Sequence, residues 1–333
     1  MNIRPKPYIL FLTLLVAICV LNSCARKTPK VYRVGILSRQ NILANKLTDS
    51  FIGEMAQLGY TEGNNIVYDI QRINYEPQEE HKILEKFVKD KVDLIYTFNT
   101  EEALWAKDAA LGTGIPVVFA NAFTEGNNLV DSVRAPGGNI TGVRYPGTDV
   151  AVKRLEVLHE IVPQAKRIWV PYQNGFSGAP SQLEILRPVA ASLNLTLIEF
   201  PSNNLEHLQT ELDNRSKASD LGFDAILFIP DPLSTTPPYF ATIAKYTRER
   251  KIPVGGSSAA TKDYGTIFAV TVNPAKMGEL AARLADKILK GTPAGTIPAV
   301  TPELKLLINY KVAKGLGLTV PEILLSKANE IIR

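Results

Sequence analysis

The stretch KVDLIYTFNTEEALWAKDAALGTGIPVVFA, Lys91 to Ala120, reads as one β-α-β unit. Val92 to Phe98 and Ile115 to Ala120 (IPVVFA) are short apolar runs of the kind that form buried strands. Glu101 to Leu111 between them reads as a helix, with Glu101 and Glu102 where a helix start favours acids. Two such strands bridged by a helix imply parallel neighbours in a sheet covered on both faces.

The alternation extends in both directions. Upstream, Tyr32 to Leu37 (YRVGIL) is a strand, Lys46 to Leu58 a helix, Asn65 to Ile73 a strand and Gln78 to Lys89 a helix. The first helix carries apolar residues at Leu47, Phe51, Met55 and Leu58, a helical spacing, and Gly59 is placed to close it. Downstream, Gly126 to Gly138 is rich in Asn, Gly and Pro and breaks the pattern. The alternation then restarts. Asn139 to Arg144, Arg167 to Val170, Leu195 to Phe200, Asp224 to Ile229 and Ile252 to Gly255 read as strands. Val150 to Ile161, Pro180 to Leu193, Leu205 to Ser216 and Tyr239 to Arg250 read as the helices between them. A tail follows: strand Ile267 to Val272, amphipathic helix Pro274 to Leu289, strand Leu304 to Asn309 and two short helices. Two β-α lobes with a shared tail predict a bilobed α/β protein. Its ligand belongs at the carboxyl ends of the strands, in the cleft between lobes.

The N-terminus carries a second message. Arg4 and Lys6 precede an apolar run, Ile9 to Leu21, interrupted only by Thr13. A basic start, a short apolar core and a small residue before the cut describe a secretory signal peptide; a spanning helix needs about 18 or more apolar residues. Ser23-Cys24 resembles a bacterial lipobox, which makes Cys24 the first mature residue and its lipid carrier. Cys19 leaves with the signal, so the mature chain keeps one cysteine and no internal disulfide. A lone thiol in an oxidising compartment is a liability that a thioether-linked lipid removes.

Composition excludes several functions. The chain has 333 residues, 45% of them hydrophobic and 21% charged, as in an ordinary folded protein. The net charge of +4 falls to +2 once Arg4 and Lys6 are removed, too little to imply nucleic acid. His81, His159 and His207 lack metal-ligand spacing, no G-x-S-x-G elbow is present, and no phosphate loop of the G-x-x-x-x-G-K-[ST] type occurs. No enzyme activity, cofactor or metal is therefore expected. The sequons at Asn139 and Asn194 are read as chance.

Several runs match a known family in order along the chain. They are RVGIL (Arg33 to Leu37), FIGEMAQLGYTEGN (Phe51 to Asn64), KVDLIYT (Lys91 to Thr97), GIPVVFA (Gly114 to Ala120), PGGNITGV (Pro136 to Val143), AARLADKILKG (Ala281 to Gly291) and KLLINYKVAKGLGLTVPEILLSKANEII (Lys305 to Ile332). Together they resemble the ABC-transporter substrate-binding lipoproteins of the tryptophan/tyrosine-binding type. The resemblance implies the periplasmic-binding-protein type I fold: two doubly wound parallel-sheet lobes joined by a three-strand hinge. It implies crossovers near Thr141 to Tyr145, Thr271 to Asn273 and Pro298 to Glu303. The chain then divides into signal peptide 1–23, lipidated tether 24–30, lobe I at 31–142 plus 272–297, and lobe II at 143–271 plus 298–333. It further implies a monomer that closes on a small molecule, an amino acid or a related compound. The loaded form would be delivered to an ABC permease and its ATPase. A module of the same fold that reports to a membrane sensor is the alternative.

The strand-end loops supply the candidate contacts. Thr100, before the helix at Glu101, suits carboxylate capture or a plain N-cap. Asn99 and Asn121 are amide donors at strand ends. Asp231, between Pro230 and Pro232, suits a ligand ammonium or a turn. Phe123, Thr124, Tyr145, Tyr172 and Ser257 complete the set, and Phe98 and Tyr239 are further aromatics nearby.

Overall fold

The computed structural model describes residues 30–74, 76–256 and 265–333. The signal peptide, Cys24, most of the tether and Ser257 lie outside the described residues. The first sheet contains β1 (Tyr32–Arg39), β2 (Ile66–Ile73), β3 (Leu94–Phe98), β4 (Val117–Ala122) and β5 (Ile140–Arg144), all parallel, in the order β2-β1-β3-β4-β5. Every residue of β3 is buried, as expected of a strand covered on both faces. Helices α1 (Ile42–Gln57), α2 (Pro77–Lys89) and α3 (Thr100–Ala109) connect these strands. Asn41 caps α1 by accepting the Ala44 N–H at 2.8 Å. At the other end Gly59 adopts φ 94°, and the Tyr60 N–H reaches back to the Met55 carbonyl at 3.0 Å. This is the glycine stop expected from the sequence.

The second sheet repeats the plan. Strands β6 (Arg167–Gln173), β7 (Thr196–Ser202), β8 (Ala225–Leu227) and β9 (Val254–Gly255) run parallel in the order β7-β6-β8-β9. Helices α4 (Gly147–Ile161), α5 (Ala179–Ser192), α6 (Leu205–Lys217) and α7 (Pro237–Arg250) accompany them. A parallel bridge from Gly256 to Ala269 adds β10 (Phe268–Val272) beyond β9. Strand β11 (Leu304–Asn309) then pairs antiparallel to β10, and β12 (Glu330–Ile332) pairs parallel to β11. The antiparallel β11 departs from pure β-α alternation, and the sequence did not show β12.

The chain crosses between the sheets more than once. It leaves the first sheet at β5 and enters α4, which is buried in the second core. From β10 it returns to α8 (Pro274–Leu289), whose Met277, Ala281 and Ala285 join the first core beside Leu47 and Phe51 of α1. Gly278 allows this close approach, since a Cβ there would sit 2.0 Å from Ser50 Oγ and 2.5 Å from the Leu47 carbonyl. Val300 then bridges Val143 at the edge of the first sheet before β11 enters the second. Tyr145 packs against both cores. Short helices α9 (Tyr310–Gly315) and α10 (Glu322–Lys327) precede β12. Among the described residues, no helix is long and apolar enough to cross a membrane.

Candidate ligand-binding site between the two sheets

In each sheet the strand order reverses once, and open α/β sheets bind ligands at that reversal, beyond the carboxyl ends of the strands. In the first sheet the reversal lies between β1 and β3, and in the second between β6 and β8.

At the first reversal, Asn99 follows β3 with φ 58° and ψ 173°. This region is nearly reserved for glycine and costs about 1–3 kcal/mol, a strain that clusters at functional sites. Asn121 also has positive φ, 57°, and sits where the register between β4 and β5 shifts. A bulge of this kind re-aims a side chain. It lets Asn121 Nδ2 donate to Asn99 Oδ1 at 3.1 Å. The Thr100 hydroxyl is not the N-cap of α3: it accepts the Phe123 N–H at 3.0 Å and so pins the loop after β4. Thr124 Oγ1 is buried without a hydrogen-bond partner.

Phe123 carries the site to the second lobe. Its ring lies 5.4 Å from that of Tyr145 and meets Phe176 edge-on at 5.6 Å. Two glycines make room for it. A Cβ on Gly147 would sit 2.2 Å from Phe123 Cε1, and one on Gly178 3.3 Å away. Arg144, in the first crossover, pairs with Glu125 of the same loop, with Asp149 of α4 at 2.7 Å, and with Thr301 of the last crossover at 2.7 Å.

At the second reversal Asp231 is 6% exposed. Its carboxylate accepts the Gln173 N–H at 2.7 Å and the Ser234 N–H at 3.0 Å, tying the end of β6 to the loop after β8. Burial pushes its pKa up to about 6, against the pull of those N–H groups and of Arg154. The turn role of Asp231 is thus visible in its partners. Tyr172, near the end of β6, packs on the second core, and burial raises its hydroxyl pKa, with the Glu199 charge adding to the rise and Arg187 opposing it. Phe98 is 2% exposed and meets Tyr96 edge-on at 4.7 Å, while Tyr239 packs against the core behind the second sheet.

The structure therefore brings Asn99, Thr100, Asn121, Phe123 and Tyr145 together; the Arg154 charge acts on both Tyr145 and Asp231. Sequence reasoning did not single out Arg154, Phe176, Gly147 or Gly178. Arg154 left one signal, a charge on the apolar stripe Val150, Ala151, Leu155, Leu158 of α4. Beside the first reversal a second buried group escaped notice: Arg39 of β1 pairs with Glu102 of α3, and Glu80 of α2 is fully buried with neither carboxylate oxygen hydrogen-bonded. Among the described residues no group of His, Cys, Asp and Glu could hold a metal.

Two parallel sheets, each with one strand-order reversal and joined by repeated crossings of the chain, make up the periplasmic-binding-protein type I fold. Residues 42–332 match the ABC transporter substrate binding protein family, and the chain belongs to it. This is a family of solute-binding proteins, not enzymes. The chain is 29% identical over 281 residues to the tyrosine-binding protein of Clostridioides difficile strain R20291, covering 82% of this chain and 77% of that protein. It also resembles an ABC domain in complex with L-Trp from Streptococcus pneumonia (TM-score 0.77, 23% identity, 91% of this chain and 100% of that one). A ligand-free, open substrate binding protein with adhesive properties from Clostridium difficile superposes similarly (TM-score 0.73, 23% identity, 90% and 99%).

Proposed function

We propose that this protein captures an amino acid or a related small molecule in the cleft between its lobes and delivers it to an ABC importer. The observation that carries this reading is Phe123. One residue of the first lobe is pinned by Thr100 at the first reversal and docks between Gly147 and Gly178 of the second. A cleft that closes in this way sequesters a ligand by hinge motion. The lobes divide at 31–142 plus 272–297 and 143–271 plus 298–333. The signal-like start and Ser23-Cys24 support export and a lipid anchor on Cys24, so the protein works outside the cytoplasmic membrane on a tether at 24–30. The tyrosine-binding relative and the L-Trp complex favour an aromatic amino acid. Asn99, Thr100, Asn121, Phe123, Thr124 and Tyr145 would meet it from the first lobe and the hinge, and Asp231 from the second.

The test is a thermal-unfolding and titration panel on protein that begins after Cys24, stripped of any carried ligand by unfolding and refolding. A ligand at 100 times its Kd adds about 2.7 kcal/mol to stability, a rise of several degrees. A saturable shift with L-tyrosine or L-tryptophan is expected. Stabilisation by none of the amino acids would end the amino-acid reading.

A further inference from the structure

Among the described residues, Arg154 is a buried cation whose charge has no counterion in contact. It sits midway along α4, is 3% exposed, and reaches the main chain just past β8 and at the middle of β10. Its Nε donates to the Val270 carbonyl at 3.0 Å and its Nη1 to the Phe228 carbonyl at 2.8 Å. A guanidinium has five N–H groups, and Nη2 donates to nothing among the described residues. Neutral carbonyls satisfy donors but do not cancel the charge. Among the described residues the Asp231 carboxylate acts on Arg154 only through space, and its oxygens are held by main-chain N–H groups. Burial pulls the Arg154 pKa down, yet an arginine stays charged. An uncompensated charge in such a place is costly unless something pairs with it.

We propose that Arg154 receives a carboxylate of the bound solute, so that the ligands of this protein are acids. The proposal rests on the cleft-binding reading above and adds the chemical group that the cleft recognises. The free edge of the guanidinium matches a planar carboxylate, and such charge-assisted bonds are the strong ones. Arg154 stands beside Tyr145, which Phe123 contacts, so an acid held there lies between the two lobes. Gly256 lets the chain pack closely on the Arg154 stem: a Cβ on it would sit 2.4 Å from the Phe228 carbonyl and 3.1 Å from Arg154 Cδ. A carboxylate is thereby drawn to the second lobe, and closure brings the first lobe over it.

The experiment compares acids with their amides. L-tyrosine, L-tryptophan, benzoate and glutarate are titrated beside tyrosinamide, tryptophanamide, benzamide and glutaramide, with the unaltered protein and with Arg154→Gln and Arg154→Lys. At least one acid is expected to bind about a hundred-fold tighter than its amide (the differential worth of a buried ion pair). Arg154→Gln should erase that difference by weakening the acid alone. Arg154→Lys should keep part of it. The acid–amide comparison in the unaltered protein needs no folded variant. Equal binding of acid and amide, an undiminished difference in Arg154→Gln, or a panel in which no acid binds would each overturn the assignment. Binding of benzoate or glutarate without tyrosine or tryptophan would end the amino-acid reading and leave Arg154 as the acid receptor.

Discussion

Gly147→Ala is expected to weaken ligand binding about ten- to a hundred-fold, a shift of roughly 1.4–2.7 kcal/mol in the closing equilibrium, with both lobes still folded. The new methyl would lie 2.2 Å from Phe123 Cε1, far inside van der Waals contact. Phe123 comes from the loop after β4 and Gly147 opens α4, so the clash falls between lobes and not within one core. The Phe123 ring cannot simply turn away, because Phe176 meets it edge-on and Tyr145 packs beside it. Opening the cleft relieves the clash without disturbing either sheet. A double-mutant cycle separates this from loss of a stacking partner. In a Phe123→Ala background, Gly147→Ala should have no further effect on affinity. An unchanged affinity for Gly147→Ala alone would mean that Phe123 plays no part in closure.

The second large effect concerns Glu102, with a sign opposite to the usual expectation for an ion pair. Glu102 is 2% exposed and pairs with Arg39. Burial nevertheless pushes its pKa from about 4.5 up to about 7, with Arg39 pulling the other way and Glu80 and Glu101 adding to the rise. Glu80 is raised too, by burial, with Arg39, His81 and the Glu76 backbone opposing. Arg39 pairs with Glu102 and reaches Glu80 only through space, so one of the two buried carboxylates does better neutral. The unfolded chain loses the Glu102 proton near pH 4.5 and the folded chain holds it to about 7. The folded state therefore binds more protons in that window, and stability falls as pH rises through it. Glu102→Gln resembles the protonated form. It should be more stable than the parent at pH 8 by on the order of 1–3 kcal/mol, and nearly equal to it at pH 5. Asp231, raised to about 6, adds a slope of the same sign that both proteins share, so the difference between them isolates Glu102. Destabilisation of Glu102→Gln at pH 8 would show that the ion pair outweighs burial.

Much of this architecture is legible in the residues. The apolar runs at 92–98 and 115–120 fall on β3 and β4 because a strand buried on both faces has no alternation to obscure it. Helix α8 spans Pro274–Leu289, the bounds that its amphipathic stripe predicts, with Asn273 as cap and Pro274 at its first position. Strand β12 was hidden, since Glu330–Ile332 becomes a strand only by pairing with Leu307–Asn309. The direction of β11 was hidden for a related reason: it depends on where the last crossover delivers the chain. For the site, strand-end position singled out Asn99, Asn121 and Phe123 as candidates, and the structure gathers them at the loops after β3 and β4. Such a position could not fix which side of the strand end Tyr172 takes, and the structure packs Tyr172 against the second core. The glycines at 147 and 178 are unremarkable until Phe123 is placed between them, because their meaning lies in a contact between lobes. Arg154 was readable in principle as a charge on an apolar helix face, but periodicity counts apolar positions and passes over the exception.

The most direct test of a ligand held between two lobes is amide hydrogen exchange with and without saturating L-tyrosine, or whichever acid the titrations select. Exchange reports opening residue by residue. The account predicts that ligand slows exchange on both sides at once: at Asn99, Thr100 and Asn121 to Thr124 in the first lobe, and at Gln173 to Phe176 and Asp231 to Ser234 in the second. Protection confined to one lobe, or appearing away from both strand reversals while binding is saturated, would contradict it.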